Sequence, residues 1–140
     1  VLRDEPLLHP LQVYGSRMRG ADACVLVVAW MADDVLAEAV RVARSLHMTA
    51  VLAVAEPREL RRALDLDHVQ IGVLPNGDDG GVDLERAARL SALVPARRSV
   101  LSLGEAERLA DLRGIADAAL VARALMGRSD LAAAIEEIAA

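Results

Sequence analysis

The sequence predicts an α/β protein built from about six parallel βα units. Apolar segments of strand length alternate along the 140 residues with amphipathic segments of helix length. The strand-like segments are apolar on both faces, which is typical of a parallel sheet covered by helices. The connections are short, and repeated βα units of this kind are joined by right-handed crossovers.

Six segments are predicted as strands. The first, Val1–Arg3, is too short to be judged by itself. The other five are continuous apolar runs bounded by polar or turn-forming residues: Cys24–Ala29, Ala50–Ala55, Val69–Leu74, Ser99–Leu103 and Ala118–Ala122.

Helical segments lie between and after these runs, and several carry start or stop signals. Asp33 and Asp34 can cap one helix, Pro57 suits a first turn, and Ser129–Asp130 can cap the last helix. Gly20 is expected to end the first helix. The predicted helices are Pro10–Arg19, Asp33–Leu46, Pro57–Leu66, Leu84–Leu93, Glu105–Arg113 and Asp130–Ala139.

Composition indicates one soluble globular domain over residues 1–140. The chain is 54% hydrophobic and 26% charged, with a net charge of −5. Its length is enough for one domain with a hydrophobic core and too short for two such domains. Leu74–Asp83 is predicted as a turn-rich loop within that domain. No apolar run approaches the ~20 residues that span a bilayer, so we expect no membrane partner and a cytoplasmic location.

Nucleic acid is not an expected partner. All sixteen basic residues are arginine, and they are interleaved with acidic residues rather than clustered. One tyrosine, one tryptophan and no phenylalanine also leave few aromatic platforms for bases.

Isolated reactive residues give little support to a metal site, a cofactor or nucleophilic catalysis. Single Cys24 is expected to be buried, His9, His47 and His68 share no ligand spacing, and Asp78–Asp79 fits a flexible acidic turn. Ser99 and Ser102 have no histidine and acid partner nearby. Trp30 could line a pocket, although capping the core is the favoured interpretation.

Several segments carry a family resemblance. His9–Ala29 reads HPLQVYGSRMRGADACVLVVA and resembles the indole-3-glycerol-phosphate synthase segment that usually reads like DPYQVYEARxxGADAxLLI. Further segments match that family in order and at nearly its spacing, so the resemblance covers almost the whole chain. They are PRELRRAL (Pro57–Leu64), VQIGV (Val69–Val73), VDLERAARLSALVP (Val82–Pro95) and ALVARALM (Ala119–Met126).

The resemblance implies a partial TIM (β/α)8 barrel with its chemistry at the carboxyl ends of the strands. Val1–Arg3 matches the family's third strand, so strands three to eight are expected here and the first two βα units are absent. A start at an alternative codon and a fragment would each explain a chain that begins at Val1. The family closes the indole ring of a phosphorylated anthranilate sugar in tryptophan biosynthesis, with loss of carbon dioxide and water.

Residues at the family's acid–base positions differ in this chain. The family uses two lysines, several glutamates and an asparagine, and one lysine and one glutamate lie on its first strand. Asp4 replaces the other lysine, because VLRKDF is here VLRDEP. Ala53 replaces the glutamate of EVH, and Gly72 is followed by Val73–Pro75 instead of the asparagines of INNRDL.

The last two strands show the same trend. SESGI is shortened to Ser102–Leu103–Gly104, and VGEALM becomes VARALM with Ala122 and Arg123 in place of Gly–Glu. The resemblance therefore implies a synthase-like chain that is catalytically impaired or inactive, a pseudoenzyme with no expected catalytic residues, because cooperating groups that are lost together are not replaced by those that remain.

A phosphate site remains a candidate. The family holds its substrate phosphate with backbone amides after the seventh and eighth strands, which suits a helix N-terminus. Ser102, Gly104 and Arg123 occupy the matching places, so a phosphorylated small molecule is the candidate ligand. A glycine at the position of Ala122 would let the backbone approach phosphate closely. Ala122 replaces that glycine, which argues against this site.

Six strands leave two open edges where a closed barrel has none, and apolar inward faces would need cover. We therefore expect a homo-oligomer or association with a complementing barrel fragment, while flattening into a doubly wound sheet is the third outcome. Two alternatives to an impaired synthase stay open. One is an active portion completed by another chain or by upstream sequence, and the other is a non-catalytic ligand-binding or oligomerisation module.

Overall fold

The structure of the protein is a computed structural model that describes residues 1–75, 83–103, 109–120, 125 and 127–139. The chain divides into two compact units, Val1–Gly72 and Val73–Ala140. Each unit contains parallel strands and helices in alternation, as the sequence predicts. Within the described ranges, the helices are all too short or too polar to cross a bilayer.

The first unit consists of βα repeats whose strands are hydrogen-bonded in chain order. β2 and β3 pair in parallel without interruption from Ala23↔Thr49 to Val27↔Ala53. β1 also pairs with β2 in parallel, with a shift of register between Arg3 and Leu7. The elements are β1 (Leu2–Leu7), α1 (Pro10–Met18), β2 (Ala23–Val27), α2 (Asp33–Ser45), β3 (Thr49–Val54), α3 (Pro57–Leu64) and β4 (Val69–Val73), whose last residue belongs to the second unit.

The core of the first unit lies between the strands and the inner faces of the helices. Val13 on α1 and Leu36 on α2 are buried against strands whose own side chains, such as Leu26 and Leu52, have no exposed surface. Burying each such side chain stabilises the fold by about 1.5–3 kcal/mol relative to leaving it in water. Cys24 lies in this core as predicted, and burial raises the pKa of its thiol to about 11.

Helix boundaries in the first unit confirm some of the predicted signals. Pro57 opens α3 after Glu56, and Gly20 follows α1 with a φ of +84°, a conformation that glycine adopts without strain. The predicted caps of α2 are wrong. The N-cap is Ala32, whose side chain has no hydrogen-bond acceptor. Asp33 and Asp34 lie inside the first turn, where their negative charges interact favourably with the positive end of the helix dipole.

Strand lengths in the first unit differ from prediction at two places. β1 runs on to Leu7 rather than ending at Arg3, so it continues through Pro6. The predicted strand Cys24–Ala29 stops at Val27, because Val28–Trp30 forms a 3₁₀ turn. Both boundaries depend on hydrogen bonds to neighbouring segments, which hydropathy does not report.

The second unit contains α4 (Leu84–Ser91), β5 (Val100–Ser102), β6 (Ala118–Ala119) and α5 (Leu131–Ala139). The N–H of Leu103 donates to Val73 O at 2.9 Å, so β5 lies beside the end of β4, and β5 pairs with β6 in parallel. Asp130 caps α5 as predicted, accepting from the N–H of Ala133 at 3.0 Å.

The predicted helix Glu105–Arg113 is only partly within the described residues. Its described part is a short 3₁₀ helix, Leu109–Leu112, and residues 105–108 fall outside. Glycine at 114 has a φ of +78°, which turns the chain towards β6. Most of the predicted loop Leu74–Asp83, with Asp78 and Asp79, also lies outside the described residues.

Candidate functional site

The carboxyl ends of the strands are where a parallel βα repeat carries its chemistry. We compared the last two residues of each strand and the residue that follows it. Across these positions the only side chain with a polar atom is Ser102, and none has a titratable group. The six triplets are Pro6–Leu8, Leu26–Val28, Ala53–Ala55, Gly72–Leu74, Leu101–Leu103 and Ala118–Leu120.

The end of β3 is an example of a strand end without polar side chains. Ala53 occupies the position that the family resemblance assigns to a glutamate, and only 1% of its surface is exposed. Its neighbours Leu52 and Val54 are completely buried, and its partner across the ladder is Val27. Ala53 thus lies in a buried and paired part of β3.

A carboxylate does lie close to the end of β3, but it stabilises a helix. Glu59 is 8% exposed, and its Oε2 accepts from the N–H groups of Ala55 at 2.7 Å and Glu56 at 3.3 Å. These bonds complete the capping box that starts α3. The residues EPRE, Glu56–Glu59, carry the signal for this capping box in the sequence.

The end of β4 is equally aliphatic. Val73 is 2% exposed, and its carbonyl accepts the N–H of Leu103. Leu74 and Pro75 follow, where the family resemblance implies asparagine amides. The described end of β4 therefore supplies backbone hydrogen bonds and no side-chain donor.

Arg3 and Glu5 of β1 form an ion pair. Arg3 Nη1 donates to the Oγ of buried Ser16 at 3.3 Å, and the Arg3 guanidinium also pairs with Glu5. The hydrogen bond from Arg3 to Glu5 and the positive charge of Arg3 lower the pKa of the exposed Glu5 carboxyl. The backbone of Asp4 lies in β1 between them, and its side chain is outside the described part of the chain.

The loop between β2 and α2 is held by an arginine from α3. Arg62 donates from Nη1 to Val28 O at 2.9 Å and from Nη2 to Met31 O at 2.6 Å, and from Nε to Asp33 Oδ1 at 2.6 Å. One planar guanidinium therefore fixes both ends of the Val28–Trp30 turn. Sequence reasoning missed this role, because the two partners are about thirty residues apart.

Trp30 does not cap the core, and that prediction is wrong. Its side chain is 63% exposed at the end of the turn. The turn directs Val28 inwards and lets Met31, 4% exposed, fill the core position instead.

The predicted phosphate set is only partly described. Ser102 is 3% exposed at the end of β5, and its carbonyl accepts the N–H of Leu120 at 2.8 Å. Gly104 and Arg123 fall outside the described residues, as does Ala122. The structure thus brings no two members of the set together, and the site stays a prediction.

The histidines are placed separately. His9 is the N-cap of α1, where its Nδ1 accepts the N–H of Leu11 at 3.2 Å. His47 and His68 have positive φ values at turns. In the ranges that the structure describes, no three His, Cys, Asp or Glu side chains are grouped as metal ligands would be.

Comparison with known proteins gives consistent results. A family profile described as "Indole-3-glycerol phosphate synthase" matches residues 1–138. A protein of that name from Roseiflexus sp. (strain RS-1) is 37% identical over 147 residues, covering 99% of this chain and 54% of the relative. "Tryptophan biosynthesis protein TrpCF" from Vibrio cholerae is 32% identical over 142 residues, covering 99% of this chain and 30% of the relative.

The chain therefore spans about half the length, or less, of these curated relatives. Among solved structures, one described as "Native KDPGal structure" superposes with a TM-score of 0.67 at 20% identity, covering 94% of this chain and 66% of the other. A likeness at this identity concerns the fold alone, and it confirms the predicted fold class, a partial (β/α) barrel.

Proposed function

Because the chain belongs to the indole-3-glycerol phosphate synthase family, we propose that it is a synthase-like protein related to tryptophan biosynthesis whose 140 residues do not catalyse ring closure by themselves. The observation that carries the proposal is the aliphatic character of the strand ends. From Pro6–Leu8 to Ala118–Leu120 they hold one hydroxyl, that of Ser102, and no acid or base.

Ring closure with loss of carbon dioxide and water needs proton transfers and stabilisation of developing charge. One positioned acid or base contributes about 10²–10⁴-fold to rate. Asp4 and Ala53 stand where the resemblance assigns a lysine and a glutamate, so two such contributions are missing, and Gly72–Leu74 also supplies no side-chain amide.

The direct test is a turnover assay with the phosphorylated anthranilate sugar that the family uses. We expect the purified chain to form indole product at less than about 10⁻⁴ of the rate of the Roseiflexus protein, since two or more acid–base groups are lost. Ala53→Val is the matched control, because it alters the same strand end and must leave the rate unchanged. A rate that is proportional to chain concentration and saturates with substrate would refute the proposal.

A second candidate is an active portion completed by other sequence, and it is favoured by one observation. The chain aligns over 99% of its length with only 54% of the Roseiflexus relative. Mixing the chain with a polypeptide carrying the remaining part of that relative separates the two ideas. We expect no activity from this mixture, because Asp4 and Ala53 remain in place, whereas strong activity would favour the completed enzyme.

A third candidate is a non-catalytic phosphate-binding module that uses Ser102, Gly104 and Arg123. The supporting observation is that the Ser102 hydroxyl is the one polar side-chain group at the strand ends. Calorimetry with inorganic phosphate and a phosphorylated sugar tests it, with Arg123→Ala expected to weaken binding and Arg113→Ala as control. Heat changes that are the same in both variants would contradict the assignment. A cytoplasmic location is part of the proposal for each candidate.

A further inference from the structure

We propose that the N-terminal cap of α1 is a pH-sensitive switch, in which neutral His9 caps the helix and protonated His9 releases it. His9 is the N-cap residue, and its Nδ1 accepts the N–H of Leu11 at 3.2 Å. An imidazole nitrogen accepts a hydrogen bond only while it carries no proton, and both nitrogens are donors in the charged ring. The hydrogen bond that caps α1 therefore exists in one protonation state and not in the other.

Histidine is an unusual residue at this position of a helix. The preferred N-cap residues are serine, threonine, aspartate and asparagine, whose side-chain oxygens accept from the first turn. The family pattern DPYQVYEARxxGADA begins with aspartate, where this chain has His9. An aspartate remains an ionised acceptor above about pH 4, whereas an imidazole changes charge between about pH 5 and 8. The resemblance thus implies that a constant cap is exchanged for one that depends on pH near neutrality.

A charged ring at this position is repelled by α1 and attracted by α2. The N-terminus of a helix carries a partial positive charge, which disfavours a cation beside it. Asp34 and Glu38 of α2 line the same groove as His9, and their carboxylates attract an imidazolium. Each carboxylate also has a partner on α2, since Asp34 Oδ1 accepts the N–H of Val35 at 2.9 Å and Glu38 pairs with Arg41. Both effects favour the released position of the ring once it is protonated.

Other titratable or charged groups near this end of α1 do not oppose the switch. On α1 itself the phenol of Tyr14 lines the same groove, and phenols are neutral between about pH 5 and 8. On β1, Arg3 and Glu5 form an ion pair, so their charges offset each other. Among the described side chains, a charged His9 therefore faces two carboxylates from α2 and an ion pair from β1.

A second contact keeps the chain in place when the cap is released. Gln12 Oε1 accepts the N–H of Leu8 at 2.7 Å and that of His9 at 3.0 Å. The amide side chain of glutamine does not titrate, so these hydrogen bonds persist on acidification. Protonation of His9 thus loosens the first turn of α1 and leaves the path of the chain from β1 unchanged. Only Leu8 and His9 separate β1 from α1, so the switch acts at the carboxyl end of a strand, where βα repeats carry their chemistry.

Hydrogen exchange of the Leu11 amide, followed by NMR on the whole chain, tests the proposal. We expect its protection factor to fall about fivefold between about pH 8 and about pH 5, as the loss of an ordinary N-cap implies. His9→Asp should keep the protection at both pH values, because a carboxylate remains an acceptor, and His9→Ala should lack it at both. His47→Asn is the matched control, since His47 has a positive φ that asparagine tolerates. Its variant should switch as the unmodified chain does.

The protonation state of the ring is measured in the same samples by nitrogen NMR of the imidazole. At about pH 8 the proton of His9 should be on Nε2, because Nδ1 is the acceptor. Circular dichroism checks that every variant is folded. A Leu11 amide whose protection is unchanged while His9 becomes protonated overturns the proposal. So does a His9→Asp variant that loses protection on acidification as the unmodified chain does, or a proton on Nδ1 of His9 at about pH 8.

Discussion

At the scale of single residues, Ala53 stands where the family resemblance assigns a glutamate. Ala53 sits at the end of a regular, fully paired strand, and its neighbours Leu52 and Val54 keep ordinary core burial. The sequence places Ala53 in an apolar run, and the structure confirms that it lies in a strand, while its replacement of a family glutamate stays a prediction from the resemblance.

Restoring a carboxylate at this position should be costly. We expect Ala53→Glu to lower the free energy of unfolding by about 3 kcal/mol or more, because a larger, charged side chain would replace an alanine that is 1% exposed. Urea denaturation measures the change. Ala55→Glu, one residue past the strand and partly exposed, is the control and should cost much less. Equal losses in both variants would mean that burial at Ala53 is not the cause.

At the scale of elements, strand and helix positions followed from hydropathy, and their ends did not. Apolar runs located β2, β3 and β4 to within a residue or two. The turn at Val28–Trp30 was missed because Arg62, which stabilises it, belongs to a different helix. The same limit explains Trp30, whose exposure depends on that turn and not on its own hydrophobicity.

The missing cap of α2 gives a stability prediction. Ala32 has the extended backbone of an N-cap, with φ −66° and ψ 155°, but no side-chain acceptor, and the N–H of Val35 donates instead to Asp34 Oδ1 at 2.9 Å. Ala32→Ser should raise the free energy of unfolding by about 1 kcal/mol. Ala37→Ser, at an exposed interior position of α2, is the control and should destabilise slightly, since serine is a weaker helix former than alanine. A thermal melt that ranks the two variants alike would contradict the assigned cap.

The loop held by Arg62 gives a second stability prediction. Arg62→Ala removes donors from Val28 O and Met31 O, so we expect a loss of about 1–3 kcal/mol in unfolding free energy. Lysine should not rescue it, because one ammonium cannot reach three acceptors in the geometry of a guanidinium. Trp30 is the single tryptophan, so a fall in its fluorescence anisotropy reports loosening of the turn. Arg58→Ala on the exposed side of α3 should leave the anisotropy unchanged.

At the scale of the whole molecule, family membership was evident from the sequence, whereas placement of the phosphate set was not settled. Motif order along the chain identifies a family even when its reacting groups are replaced. Ser102 lies at a strand end as expected, but its proposed partners Gly104 and Arg123 are outside the described residues. Sequence spacing cannot bring such groups together, because the required distances depend on tertiary packing.

The two compact units should differ in how firmly their amides are held. β2 and β3 are buried along nearly their whole length, whereas β6 has two residues, neither of which is fully buried. We therefore expect the amides of Val25 and Leu52 to be among the slowest to exchange with deuterium, and that of Ala119 to exchange faster. Mass spectrometry of peptides from the intact chain measures this. Protection at Ala119 equal to that at Leu52 would contradict the expectation.

The aliphatic strand ends have one more consequence. Enzymes commonly sacrifice stability where they keep polar groups dry and like charges close together. Here those positions, Ala53 and Val73 among them, are packed as any interior would be. Side-chain volume should therefore decide which replacements of Ala53 and of Val73 the fold tolerates.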